Sequence, residues 1–161
     1  EELYKVDYYK RVYSKIHRNI IAHNTYVDDS NIAQLQEMNF VFLCIDSGEA
    51  KRIIVEQLVG SNVPFVDVGM GIQLGVLRVT ASTAKKHNHI KEKGRISFSN
   101  EGGNNQYNQN IQIADLNALN AALAVIKWKK IFGFYLDLEE EHFSAYTIDG
   151  NQLINEDQAK I

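Results

Sequence analysis

Two apolar runs constrain this chain more than any other feature: "NFVFLCI" at 39–45 and "VPFVDVGM" at 63–70, separated by "SGEAKRIIVEQLVGSN" at 47–62. Runs that are apolar at both odd and even positions belong in strands covered on both faces. The segment between them has helical periodicity, with Ala50, Ile53, Ile54 and Leu58 expected on the core side. A strand, a helix and a second strand in this order predict a parallel pair joined by a right-handed crossover. Asp46 and Gly69 then fall at the carboxyl edge of the sheet, where open parallel sheets bind their ligands. Asp46 also has Glu49 three residues later, the spacing of a capping box, so the local sequence predicts a helix cap there.

The flanking segments extend the pattern. "EELYKVDYYKRVYSKIHR" has helical spacing at Leu3, Val6, Tyr9, Val12 and Ile16 without an initiator Met or a cap, and predicts a fragment that opens inside a helix. "IIAHNTYV" reads as a short strand and "DDSNIAQLQEM" as a helix capped by an acid or by Ser30. After Gly71, "QLGVLRVTAS" and "GRISFS" alternate apolar and polar residues, as antiparallel strands do. Gly69 and Gly71 either turn the chain between the two kinds of sheet or let backbone approach a substrate tail. "TAKKHNHIKEKG" and "NEGGNNQYNQN" read as polar loops, the second a candidate to order over a threaded protein tail. Residues 111–132 form a helix that is apolar around most of its circumference and includes Trp128. It needs cover on several sides, which a homodimer would supply. "HFSAYTIDGNQLI" predicts a hairpin turning at Asp149 and Gly150.

The expected class is α/β: a Rossmann-like three-layer sandwich, truncated at the N-terminus, whose partly parallel sheet continues into antiparallel strands. One domain spans 1–161, with a parallel part over 1–71, antiparallel strands and crossover loops over 72–110, and the long helix and hairpin over 111–161. A chain of 161 residues can bury a core without staples. Its net charge of -3 gives no electrostatic footprint for nucleic acid. The single cysteine, Cys44, lies in an apolar run and reads as a buried thiol in a reducing, cytoplasmic setting. No apolar stretch has the length of a membrane span, and no signal peptide is apparent.

Lys5 on the opening helix, "DD" before a short helix, the strand ending in "CID", an Arg six residues past Asp46 and then "VPFVDVGMG" together resemble the ThiF/MoeB adenylyltransferases, whose core ubiquitin-activating enzymes share. The resemblance implies ATP-dependent adenylation of the C-terminal carboxylate of a ubiquitin-like or sulfur-carrier protein, with ATP and Mg2+ as cofactors. It implies that Lys5 reaches the nucleotide phosphates, that Asp46 holds the magnesium ion, that Arg52 assists on the following helix, and that Ser47, Tyr26 and Val27 contact the nucleotide. A metal and a lysine suit that chemistry, because a carboxylate attacking the α-phosphate gathers several negative charges. Three parts of the family pattern are missing from this sequence: the glycine-rich phosphate loop upstream of the lysine, a cysteine in the crossover region, and the paired CxxC zinc site. No structural zinc is expected, and the fragment itself is expected to be inactive.

Other readings stay open beside this one. Lys5 has a bland reading as a solvated lysine, and Asp46 can be a cap, a metal ligand or both. His87 and His89 in "KKHNHIKEK" suit a solvated loop better than a metal pair, with no acid or cysteine to complete a site. The rival to an enzyme is a non-catalytic binding or dimerisation module. A nicotinamide-dependent dehydrogenase shares the layout but would need a G-x-G-x-x-G fingerprint.

Overall fold

The computed structural model describes residues 3–71, 76–99 and 113–159. The polar stretch 100–110 and the first two residues of the expected helix 111–132 lie outside them. Helix α1 (Lys5–Tyr13) comes first, followed by irregular chain and a 3₁₀ helix (Ile32–Glu37). Then come β1 (Val41–Leu43), α2 (Gly48–Gly60), β2 (Phe65–Gly71) and β3 (Val76–Ser82). A one-turn helix α3 (His89–Glu92), the long α4 (Ala114–Ile131) and the strands β4 (Phe143–Thr147) and β5 (Gln152–Glu156) complete the fold.

The five strands lie in one sheet in chain order, β1 parallel to β2 and every later pair antiparallel. The fold is therefore mixed α/β with parallel and antiparallel pairing, as the two apolar runs and the later alternation require. In β2, Phe65 and Val66 are both fully buried and point to opposite faces. Phe65 joins Leu43, Ile54, Leu58, Ile90 and Ile96 in a cluster formed with α2 and α3. Val66 joins Val79, Ala81 and Ala124 in a second cluster under α4. Two-sided burial is the reason this segment reads as a continuous apolar run.

Several expectations need correction. "IIAHNTYV" forms no strand, "DDSNIAQLQEM" gives a 3₁₀ helix, and "GRISFS" is irregular. α1 has the expected helical spacing but no buried residue. α2 forms as expected but is turned about its axis: Gly48, Lys51, Ile54, Val55 and Leu58 are buried, whereas Ile53 is exposed. Lys51 faces inward because an acid, Asp67, waits for it on β2. Part of "KKHNHIKEK" is α3, and His89 is buried in it. The terminal hairpin forms with Thr147 opposite Gln152, so its loop is the four residues 148–151.

Candidate functional site

The carboxyl edge of β1 and β2 is built by the crossover between them. β1 ends at Leu43, paired with Asp67, and the chain runs through Cys44, Ile45 and Asp46 into α2. Asp46 is exposed and makes no hydrogen bond or ion pair among the described residues. The cap of α2 is not Asp46 but Ser47, whose hydroxyl accepts from the Ala50 amide at 3.4 Å. With Ser47 as the cap, the Asp46 carboxylate keeps its full acceptor capacity. Gly48 opens the helix under the backbone of Phe98, where a Cβ would lie 2.4 Å from the Phe98 carbonyl oxygen. Arg52 is exposed, with its guanidinium 5.7 Å from the Phe98 ring centre.

Beneath this edge Lys51 Nζ meets Asp67 Oδ1 at 2.8 Å, both side chains buried. Burial raises the Asp67 pKa, opposed by the attraction of Lys51. Cys44 is exposed, which corrects the expectation of a buried thiol: β1 stops one residue before it, so it has no sheet neighbour above. Its pKa is raised, by partial desolvation first and by the Asp67 carboxylate second, so it is poorly suited to act as a thiolate nucleophile.

The other expected site residues belong to the N-terminal segment. Lys5 lines a groove of about 550 Å³ between α1 and the returning chain, with Tyr9, Tyr13, His17 and Ile21, and neither Asp46, Ser47 nor Arg52 lines it. Tyr26 is 93% exposed and Val27 is also exposed, touching no core. Asp46, Ser47 and Arg52 stand together at the start of α2, whereas Lys5 is on α1 and Tyr26 and Val27 are on the irregular chain after it, all three exposed. Among the described residues, no group of three His, Cys, Asp or Glu side chains could hold a metal ion. A magnesium site at Asp46 would need its remaining oxygens from phosphate and water, the usual state of that ion.

Sequence reasoning missed several polar groups. Asn120 on α4 is buried and donates from Nδ2 to the Gly69 carbonyl at 2.9 Å, tying the helix to the edge of β2. Lys127 is buried between Asp137 (3.2 Å) and Glu141 (3.1 Å), and Lys130 reaches Glu141 at 2.8 Å. Those lysines read in sequence as ordinary C-terminal helix charges; only the returning segment 137–141 shows them to be ion-paired. Arg95 holds the buried Asp157 at 2.7 Å, and Lys93 pairs with the same carboxylate.

No family model matches the chain, and no curated protein matches it. Among solved structures it is similar to the crystal structure of selenomethionine (SeMet) PaaA, with a TM-score of 0.59 and 15% identity. The likeness covers 95% of this chain and 55% of PaaA, so the chain spans about half the length of that protein. At this identity the likeness shows the fold alone. The resemblance to the ThiF/MoeB adenylyltransferases is corrected accordingly: no family match carries it, and the structural likeness is to PaaA. The motifs that carried it are short and scattered, and those at Lys5 and at Tyr26 and Val27 lie on exposed chain.

Proposed function

We propose that the carboxyl edge at Asp46 is a nucleotide–magnesium site. On this reading, a protein containing this chain uses it for ATP-dependent adenylation of the C-terminal carboxylate of a ubiquitin-like or sulfur-carrier protein. The observation that carries the reading is the position of Asp46: an exposed, unpartnered carboxylate among the described residues, directly past a parallel strand and before a 13-residue helix. That is where open α/β sheets hold nucleotides and their metals. The proposal takes the clusters on the two sides of β2 as a Rossmann-like three-layer arrangement. Asp46 would hold the ion and Arg52, one turn into α2, would offset phosphate charge. Lys5, Tyr26 and Val27 would join from the N-terminal segment.

ATP–pyrophosphate exchange in a protein containing the chain tests this reading. Asp46→Ala should abolish exchange, yet leave thermal stability within about 0.5 kcal/mol of wild type, because Ser47 does the capping. Unchanged exchange in Asp46→Ala would remove the metal assignment.

A second reading, a non-catalytic binding or dimerisation module, has its own observation. Phe40, Phe42, Trp128 and Phe132 form a ring cluster with centroids 5.0–6.5 Å apart beside β1. Phe42 and Phe132 remain exposed, and so do Phe134, Leu136 and Leu138 nearby in sequence. Exposed apolar surface of this kind beside an edge strand suits association, here a homodimer. Sedimentation equilibrium decides it: a monomer that binds no partner and exchanges pyrophosphate supports the enzyme alone.

A further inference from the structure

We infer that Asp149 and Gly150, at the tip of the terminal hairpin, form a site of spontaneous covalent modification, where the chain closes to a succinimide and reopens as an isoaspartyl linkage. The chemistry needs no nucleotide, metal or partner, so it stands apart from the reading of Asp46.

The sequence singles out this pair first. Asp149 is the only aspartate followed by glycine, and no asparagine is. Glycine matters because it has no Cβ to hinder its own amide nitrogen from approaching the side chain before it. The fold then leaves the pair open. The last rung of the β4–β5 ladder joins Thr147 to Gln152, so residues 148–151 lie beyond the ladder and can turn without breaking it. Asp149 and Gly150 are both exposed.

The reacting atoms already meet. The Gly150 amide donates to Asp149 Oδ1 at 2.8 Å. The carboxyl carbon is one bond of about 1.2 Å from that oxygen, and therefore within about 4 Å of the nitrogen. Near-attack geometry is roughly 3–3.5 Å, and rotation about the Asp149 Cα–Cβ bond brings the carbon to the nitrogen in place of the oxygen. The step balances without an outside reagent. The Gly150 nitrogen loses its proton and bonds to Cγ of the carboxylic acid, whose hydroxyl leaves with that proton as one water, giving a five-membered imide. Water then adds back. Addition at the side-chain carbonyl breaks the new C–N bond and restores aspartate. Addition at the main-chain carbonyl breaks the original peptide bond and leaves the chain running through the side-chain carbons, one atom longer and with a free α-carboxylate.

The test holds the folded chain for several weeks at physiological temperature and follows its tryptic peptide 131–160 by liquid chromatography and mass spectrometry. Two control aspartates travel in the same peptide. Asp137 pairs with Lys127 at 3.2 Å and precedes Leu138, and Asp157 is buried, held by Arg95 at 2.7 Å, and precedes Gln158. Expected are a shifted peptide of unchanged mass that endoproteinase Asp-N no longer cuts before residue 149 but still cuts before 137 and 157, and a minor species lighter by one water. In Gly150→Ala the new Cβ would lie an ordinary 3.5 Å from the Gln152 and Thr147 side chains, so the turn is kept, and conversion should slow about tenfold. Asp149→Asn, of the same shape, should convert faster, releasing ammonia in place of water. Undiminished Asp-N cleavage before residue 149, loss of cleavage spread evenly over the three aspartates, or a rate that neither variant changes would overturn the inference.

Discussion

Lys51 and Asp67 offer the sharpest test of how α2 sits on the sheet. Their side chains are 9% and 6% exposed and their charged atoms are 2.8 Å apart. Removing one partner of a buried ion pair leaves an uncompensated charge and costs about 3–5 kcal/mol, a large share of the roughly 5–15 kcal/mol that holds a domain together. Replacing both partners with apolar residues of similar volume is often neutral or stabilising. Lys51→Met and Asp67→Leu should therefore each lower the urea midpoint by about 2 M, taking about 2 kcal/mol per M as the slope, while the double variant returns close to wild type. The pH dependence adds a second check. Burial raises the Asp67 pKa above its unfolded value, so the folded state binds the extra proton, and this group's contribution to stability falls as pH rises through the window above 3.8. Loss of the Lys51 charge widens that window, so Lys51→Met should be more damaging at pH 8 than at pH 5. Equilibrium urea unfolding of the four proteins at both pH values provides the data. Single variants that each cost less than about 1 kcal/mol would mean that the pair is solvated, and the rotation of α2 described above would be wrong.

Two further outcomes are expected. His89, with its pKa lowered to about 4 against an unfolded value of 6.5, binds a proton more readily when unfolded, so stability should fall by about 3 kcal/mol as pH drops from 6.5 to 4; the groups acting on it are Asp157, His142, Lys86 and Arg95, and urea midpoints that stay flat over this window once carboxylate titration is subtracted would contradict its burial. Gly48→Ala should cost about 1–3 kcal/mol by forcing a Cβ against the Phe98 backbone, whereas Gly60→Ala, in open space at the end of the same helix, should stabilise by roughly 0.5–1 kcal/mol; thermal melts of the two variants that shift in the same direction would contradict the seating of α2 under residue 98.

The amino-acid sequence by itself determined the elements whose burial is repetitive. β2 is legible because both of its faces are covered, α2 because it carries apolar residues at helical spacing, α4 because a long run is apolar around most of its circumference, and the hairpin of β4 and β5 because Asp149 and Gly150 break an alternating pattern. The segment 20–27 carried the same apolar signal and forms no strand, since pairing depends on a neighbour that local sequence does not specify. Tertiary structure alone decided which polar groups matter. Lys51 reads as the solvent side of α2 until Asp67 arrives from β2, and Lys127 reads as a helix-end charge until the 137–141 turn folds back on it. His89 reads as part of a solvated loop until its ring is packed on His142, contributed from 53 residues further along the chain. Periodicity records how each residue faces its own element, whereas the cost of a buried charge or imidazole depends on what distant segments place beside it.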